Sequence, residues 1–249
     1  DVDLLLFCTK NPIPILKYLD KITQPILFHV TLTPYKKEIE PKVEDKKKII
    51  ASIHEVAKII GKDRVYVRYD PIFLSEDYPL SYHKKAFSKL CKLLEGATTH
   101  IIVSFLDDYQ NVRKNQSILK AWPFREEDYR DLASSFVKFA SEHQMTIQTC
   151  CEEKNGEEYG FLRQDCLSQD LAFQLTGKKF KKWRARGKMC NCVELVDIGQ
   201  YNTCQHYCRY CYANYDEKQV QNRSKCHDPH SSLLIGHVTE EDIIKVRKG

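Results

Sequence analysis

No apolar run in this 249-residue chain approaches the roughly 20 residues that a membrane-spanning helix needs, and no segment has the charged, apolar and small-residue order of a signal peptide. A helical membrane protein is therefore not expected, and the chain reads as soluble, cytoplasmic and without a membrane partner. Low-complexity tracts are missing, and so is any internal repeat beyond a β/α period. Charge of one sign is in small excess: 39 Lys and Arg face 34 Asp and Glu, and the net charge of +5 permits an anionic partner without demanding one.

What is present is enough for one sizeable core, since 42% of the residues are hydrophobic. The chain opens at Asp1 without Met and enters at once on Leu4, Leu5, Leu6 and Phe7, so a preceding N-terminal strand is expected to be missing. Strand-like runs at 2–8, 26–33, 64–69, 100–106 and 145–149 alternate with amphipathic stretches at 13–22, 43–60, 82–94, 125–143 and 164–175. On the second of those stretches Ile49, Ile53, Val56 and Ile60 share a helical face, with Gly61 where a C-cap belongs.

Near-continuous apolar strands between helices predict an α/β fold with a parallel sheet. Both a β/α barrel and a doubly wound sheet suit the unit length, and the barrel, partial or complete, is the expectation. Residues 1–177 would form the barrel core; 178–249 would be a basic linker and a cysteine-rich segment closing it.

Each predicted strand ends in chemically capable residues. Lys10, Arg68, Asp70, Asp107 and Glu153 are thereby candidates for a barrel mouth, where parallel β/α folds gather their active sites. For any single one of them, the plainer account is that polar residues end every strand that meets a loop.

Eleven cysteines, most of them between Cys150 and Cys211, point to metal or redox chemistry in a chain without an export signal. Cys204-Gln-His-Tyr-Cys208-Arg-Tyr-Cys211 places three thiols four and then three residues apart, close enough to converge on one centre. Thiolates suit iron–sulfur clusters and zinc alike. Zinc held by the same three cysteines with His206 or an upstream Cys remains an alternative, although zinc sites more often pair C-x-x-C units.

Cys150, Cys166, Cys190 and Cys192 would complete a second set, enough for a further 4Fe-4S cluster or a zinc; Cys150 and Cys166 could equally be small core residues. Cys8 and Cys91 read as ordinary packing. Lys178, Lys179, Lys181, Lys182, Arg184, Arg186 and Lys188, with Phe180 and Trp183 among them, could grip a nucleic-acid backbone or form a solvated linker.

The motif C-x-x-x-C-x-aromatic-C resembles the one by which radical S-adenosylmethionine (SAM) enzymes hold a 4Fe-4S cluster. That resemblance implies Cys204, Cys208 and Cys211 as metal ligands, Tyr210 packing beside the cofactor, SAM on the open iron, and an electron donor such as flavodoxin or ferredoxin. The run 202–214 is similar to the cluster loop of spore photoproduct lyase-like proteins, which implies a nucleic-acid substrate as one option beside a small molecule. A non-catalytic, metal-stabilised binding protein is the contrasting class.

Thr9-Lys10-Asn11-Pro12, Thr31-Leu32-Thr33-Pro34-Tyr35, Arg68-Tyr69-Asp70-Pro71-Ile72, the run 197–204, Cys211-Tyr212-Ala213-Asn214 and His227-Asp228-Pro229 together resemble the family called domain of unknown function eighteen forty-eight. Its members begin with a further strand that has no counterpart here. In most radical SAM enzymes the cluster loop follows the first barrel strand, whereas here it follows the last. Either the run 193–198 serves as the first strand of a permuted barrel, or the loop belongs to an appended unit.

Overall fold

The computed structural model describes residues 2–149, 152, 156–183 and 191–245. Among them, six strands form one parallel sheet in the order β1 to β6: β1 Leu5–Thr9, β2 Ile26–Thr31, β3 Val65–Ile72, β4 His100–Phe105, β5 Thr146–Thr149 and β6 Leu162–Arg163. The order never reverses, as it would at the switch point of a doubly wound sheet. It is the strand sequence of a barrel wall, with β1 and β6 as its two edges.

The helices are α1 Lys46–Ile60, α2 Leu80–Leu94, α3 Gln110–Lys114, α4 Gln116–Leu119, α5 Glu126–Glu142, α6 Gln169–Thr176 and α7 Glu217–Lys225. Helix α1 starts where the Asp45 carboxylate accepts from the Lys47 and Lys48 amides at 2.9 and 3.3 Å. It buries Ile49, Ile53 and Val56 and stops at Gly61, whose φ of 93° suits a residue without a Cβ.

Alternation along the strands divides the core in two. Phe28, Val30, Val67, Tyr69, Ile101, Val103 and Ile147 face α1, α2 and α5 in the larger cluster. There Phe87 and Phe136 stack 3.8 Å apart, and Tyr69 meets both edge-on at 5.4 and 5.5 Å. Leu27, Tyr66 and Ile102 face the other way, covered by Leu167, Ala172 of α6 and Val193. On that face the registered residues His29, Tyr66 and His100 stack side by side at 5.4 and 4.4 Å.

Three expectations are corrected. The helix expected over 164–175 begins at Gln169, because the Ser168 side chain caps it by accepting from the Leu171 amide at 3.0 Å. The piece expected over 212–221 begins at Glu217 for the same reason, with Asp216 accepting from the Gln219 amide at 3.0 Å. The run 193–198 is not a strand: only Val193 pairs, in a single bridge to Lys182, while Val196 and Ile198 are exposed. Among the described residues no helix is long and apolar enough to cross a membrane.

Candidate metal centre

The three-cysteine loop lies across the carboxyl ends of the early strands, nearly the whole chain away from them in sequence. Backbone contacts dock it on the β2–α1 connection: the Arg209 amide donates to Ile39 O at 2.9 Å, and the Lys42 amide to His206 O at 3.2 Å. From the β4 side, Asn111 Nδ2 donates to Cys211 O and Asn115 Nδ2 to Arg209 O, both at 2.7 Å. The loop is closed on itself by the Asn202 amide donating to Ala213 O at 2.8 Å. Asn202, fully buried and at a φ of 55°, accepts from the Tyr215 and Asp216 amides.

Beneath the loop sits one buried carboxylate. Glu40 is 1% exposed and receives Lys10 Nζ at 2.8 Å and Thr33 Oγ1 at 2.5 Å, together with Lys46 Nζ and the Tyr210 hydroxyl. Burial opposes its ionisation, but the two ammonium groups overcome that and hold its pKa at about 2. Tyr210 is buried too, 5.7 Å from the Tyr35 ring, with Lys10 Nζ 5.4 Å from its own ring centre.

Cys204, Cys208 and Cys211 form no disulfide. Burial pushes the Cys208 thiol up to about 12 and raises Cys204, while the Lys10 charge pulls both back towards thiolate. The Cys211 thiol opposes ionisation of both Cys204 and Cys208, and Cys204 adds to the effect on Cys208. Among the described residues no three His, Cys, Asp or Glu side chains stand as a group that could hold a single ion. The donor set is three soft thiols with the Lys10 cation beside it, a chemistry that suits iron–sulfur and zinc alike. Beside Cys208 a cavity of about 110 Å³ is bordered by Arg209 and Asn214, whose buried Nε and Oδ1 have no hydrogen-bond partner among the described residues.

A second polar group lies at the carboxyl ends of β3, β4 and β5. Arg68 Nε and Nη2 grip Asp70 Oδ2 at 2.9 and 2.7 Å, and Ser104 Oγ donates to Asp70 Oδ1 at 2.5 Å. Glu152 accepts from the Phe105 amide at 3.1 Å. Burial, reinforced by Asp107 and Asp70, raises its pKa to about 7. Tyr109 hydrogen-bonds Asp107 at 3.1 Å and lies 5.4 Å from the Tyr212 ring, which joins this group to the cysteine loop.

Of the residues singled out from the sequence, Lys10 therefore stands with the three thiols, and Arg68, Asp70 and Asp107 stand around Glu152. Glu153, Cys150 and Cys190 lie outside the described residues. Cys166 accepts from Arg68 Nη1 at 3.3 Å, and Cys192 lies next to Val193, whose amide donates to the neighbouring Leu167 O at 3.0 Å. From the basic run, Lys178 pairs with Asp3 at 2.5 Å; residues 184–190 are not described.

Sequence reading missed Glu40, Asn111, Asn115, Glu152 and Asn202. Glu40 carried no signal in the sequence.

Curated proteins gave no match. Among solved structures, a mutant of spore photoproduct lyase is similar over 57% of this chain and 50% of its own, at 15% identity and a TM-score of 0.46. Spore photoproduct lyase complexed with dinucleoside spore photoproduct is similar over the same shares, at 15% identity and a TM-score of 0.44. This chain thus spans about half the length of each. The family described as Domain of unknown function (DUF1848) matches residues 1–213, and the chain belongs to it.

Proposed function

We propose that the chain acts as a radical SAM-like iron–sulfur enzyme in which Cys204, Cys208 and Cys211 hold a 4Fe-4S cluster and SAM takes the iron they leave open. One observation carries this reading. The three-thiol loop docks over the carboxyl ends of a parallel β/α sheet, the end at which such folds build active sites, despite arriving last in the sequence. When bound, the cluster and SAM supply reductive cleavage of the sulfonium, with an electron donor such as flavodoxin or ferredoxin providing the electron.

The chain's own residues bind and orient. Lys10 presents a cation beside the thiols, suited to an anionic group on the bound ligand. The Arg68–Asp70 pair, fixed by Ser104, offers a rigid polar edge for hydroxyl or carboxylate groups of a substrate. Glu152 holds a proton on its carboxyl near neutral pH and can give or take it there. The substrate is a small molecule or a nucleic-acid component. Cys150, Cys166, Cys190 and Cys192 are proposed as ligands of a second 4Fe-4S cluster or a zinc.

Anaerobic reconstitution with iron and sulfide tests the proposal. A brown protein that forms 5′-deoxyadenosine from SAM and dithionite, and loses that product on Cys208→Ser, is the expected result. A colourless protein with stoichiometric zinc would instead make the chain a metal-stabilised binding protein.

A further inference from the structure

Four segments far apart in sequence meet at a single atom group. Lys10 follows β1, Thr33 follows β2, Lys46 opens α1 and Tyr210 belongs to the cysteine loop; all four donate to the Glu40 carboxylate. Glu40 is 1% exposed, so its hydrogen-bonding capacity is met by protein rather than water. The flanking backbone bonds, Arg209 amide to Ile39 O and Lys42 amide to His206 O, bracket that point on either side. Beyond these bonds and those of Asn111 and Asn115, the loop's apolar anchorage is small: only Cys208 and Tyr210 join the large apolar cluster as buried members.

We infer that Glu40 is the positioning residue of the three-cysteine loop, a charged latch that seats the loop on β1, β2 and α1 before any metal arrives and holds the Lys10 ammonium beside the thiols. The latch needs no cluster to exist. Only its purpose, presenting a preformed thiol set to iron, rests on the function proposed above. It does not touch the reacting atoms; it acts through Tyr210 and Lys10. Without its charge the two ammonium groups lose their shared counter-ion, and the Tyr210 hydroxyl loses a charged acceptor for a weaker neutral one.

The test is hydrogen exchange on the full, metal-free chain at neutral pH. In the wild type the Arg209 and Cys211 amides are protected by their bonds to Ile39 O and Cys208 O. Glu40→Gln is expected to speed exchange at both by at least about 10-fold while Val67 and Ile102 in the sheet keep their protection. Tyr210→Phe, which removes one hydroxyl and leaves the ring, is expected to speed it by about 2- to 10-fold. Glu40→Asp, which keeps the charge, should recover part of the protection that the amide variant loses.

Unchanged loop exchange in Glu40→Gln and Tyr210→Phe overturns the inference. If Glu40→Gln loses sheet protection as well, Tyr210→Phe decides, because that change leaves both ion pairs intact. A parallel iron reconstitution separates the two proposals. Wild type that takes up no iron, with loop exchange still dependent on Glu40, removes the cluster and keeps the latch. Equal iron uptake and an unaltered electron paramagnetic resonance signal in Glu40→Gln, with unchanged exchange, keeps the cluster and removes the latch.

Discussion

Around Phe87 and Phe136 the chain is held by rings and aliphatic side chains packed against one another, and the contact has no single indispensable atom. Around Cys208 the opposite holds: Glu40, Asn111, Asn115 and Asn202 each make directed bonds to named partners, and little apolar surface backs them up. Apolar packing tolerates small shifts and supplies bulk stability; directed polar bonds contribute less and fix position. The β/α body is held mainly by its own apolar packing, whereas the loop is tied to it mainly by directed bonds.

Cutting into the body should have the largest effect. Phe136→Ala is expected to cost about 3–5 kcal/mol in urea unfolding and to release body and loop together. A variant that loosened the loop alone would break the comparison.

Next comes acid. Glu40 is held at about 2 in the folded chain against an ordinary 4.5, so the ionised form favours folding. Its contribution is complete above pH 4.5 and fades as the pH falls towards 2, on the order of 3 kcal/mol in total. Wild type should lose its stability advantage over Glu40→Gln across that window, followed by urea midpoints at fixed pH steps.

Glu152 should run the other way. Its carboxyl, raised to about 7, binds a proton more readily folded than unfolded, so folding is penalised as pH rises from about 4.5 through 7. Relative to Glu152→Gln, wild type is expected to lose on the order of 1–2 kcal/mol over that range, allowing for screening by solvent. A flat difference between the two would show that Glu152 is neither desolvated nor opposed by its carboxylate neighbours.

The smallest effect is expected from Asn111→Ala, at about 1 kcal/mol. It should appear as faster exchange in the loop with the urea midpoint of the body unmoved. A shift in the body instead would mean that the two regions share their stability.

Much of the body was legible because burial on a sheet face and on a helix stripe leaves different periods in the sequence. Ile49, Ile53 and Val56 declared α1, and the run 100–106 declared β4. The short α3 and α4 were hidden in what reads as a long loop, since four or five residues carry no period. Lys10, Arg68, Asp70 and Asp107 could be picked out as strand ends. Their grouping could not, since it depends on which strands adjoin. The cysteine spacing named the loop but not its seat. That seat involves Glu40, one of four acidic residues interspersed with lysines between Lys36 and Lys48, and asparagines whose partners lie about a hundred residues away.

The bond from Tyr210 to Glu40 spans 170 positions of the chain. Contacts of that order close a very long loop, and the entropy of closing it is recovered only once both ends already have somewhere to sit. The strands and helix that flank Glu40 are complete in the sequence long before Cys204. A chain stopped short of Tyr210 would lack both the hydroxyl that donates to Glu40 and the third thiol of the loop.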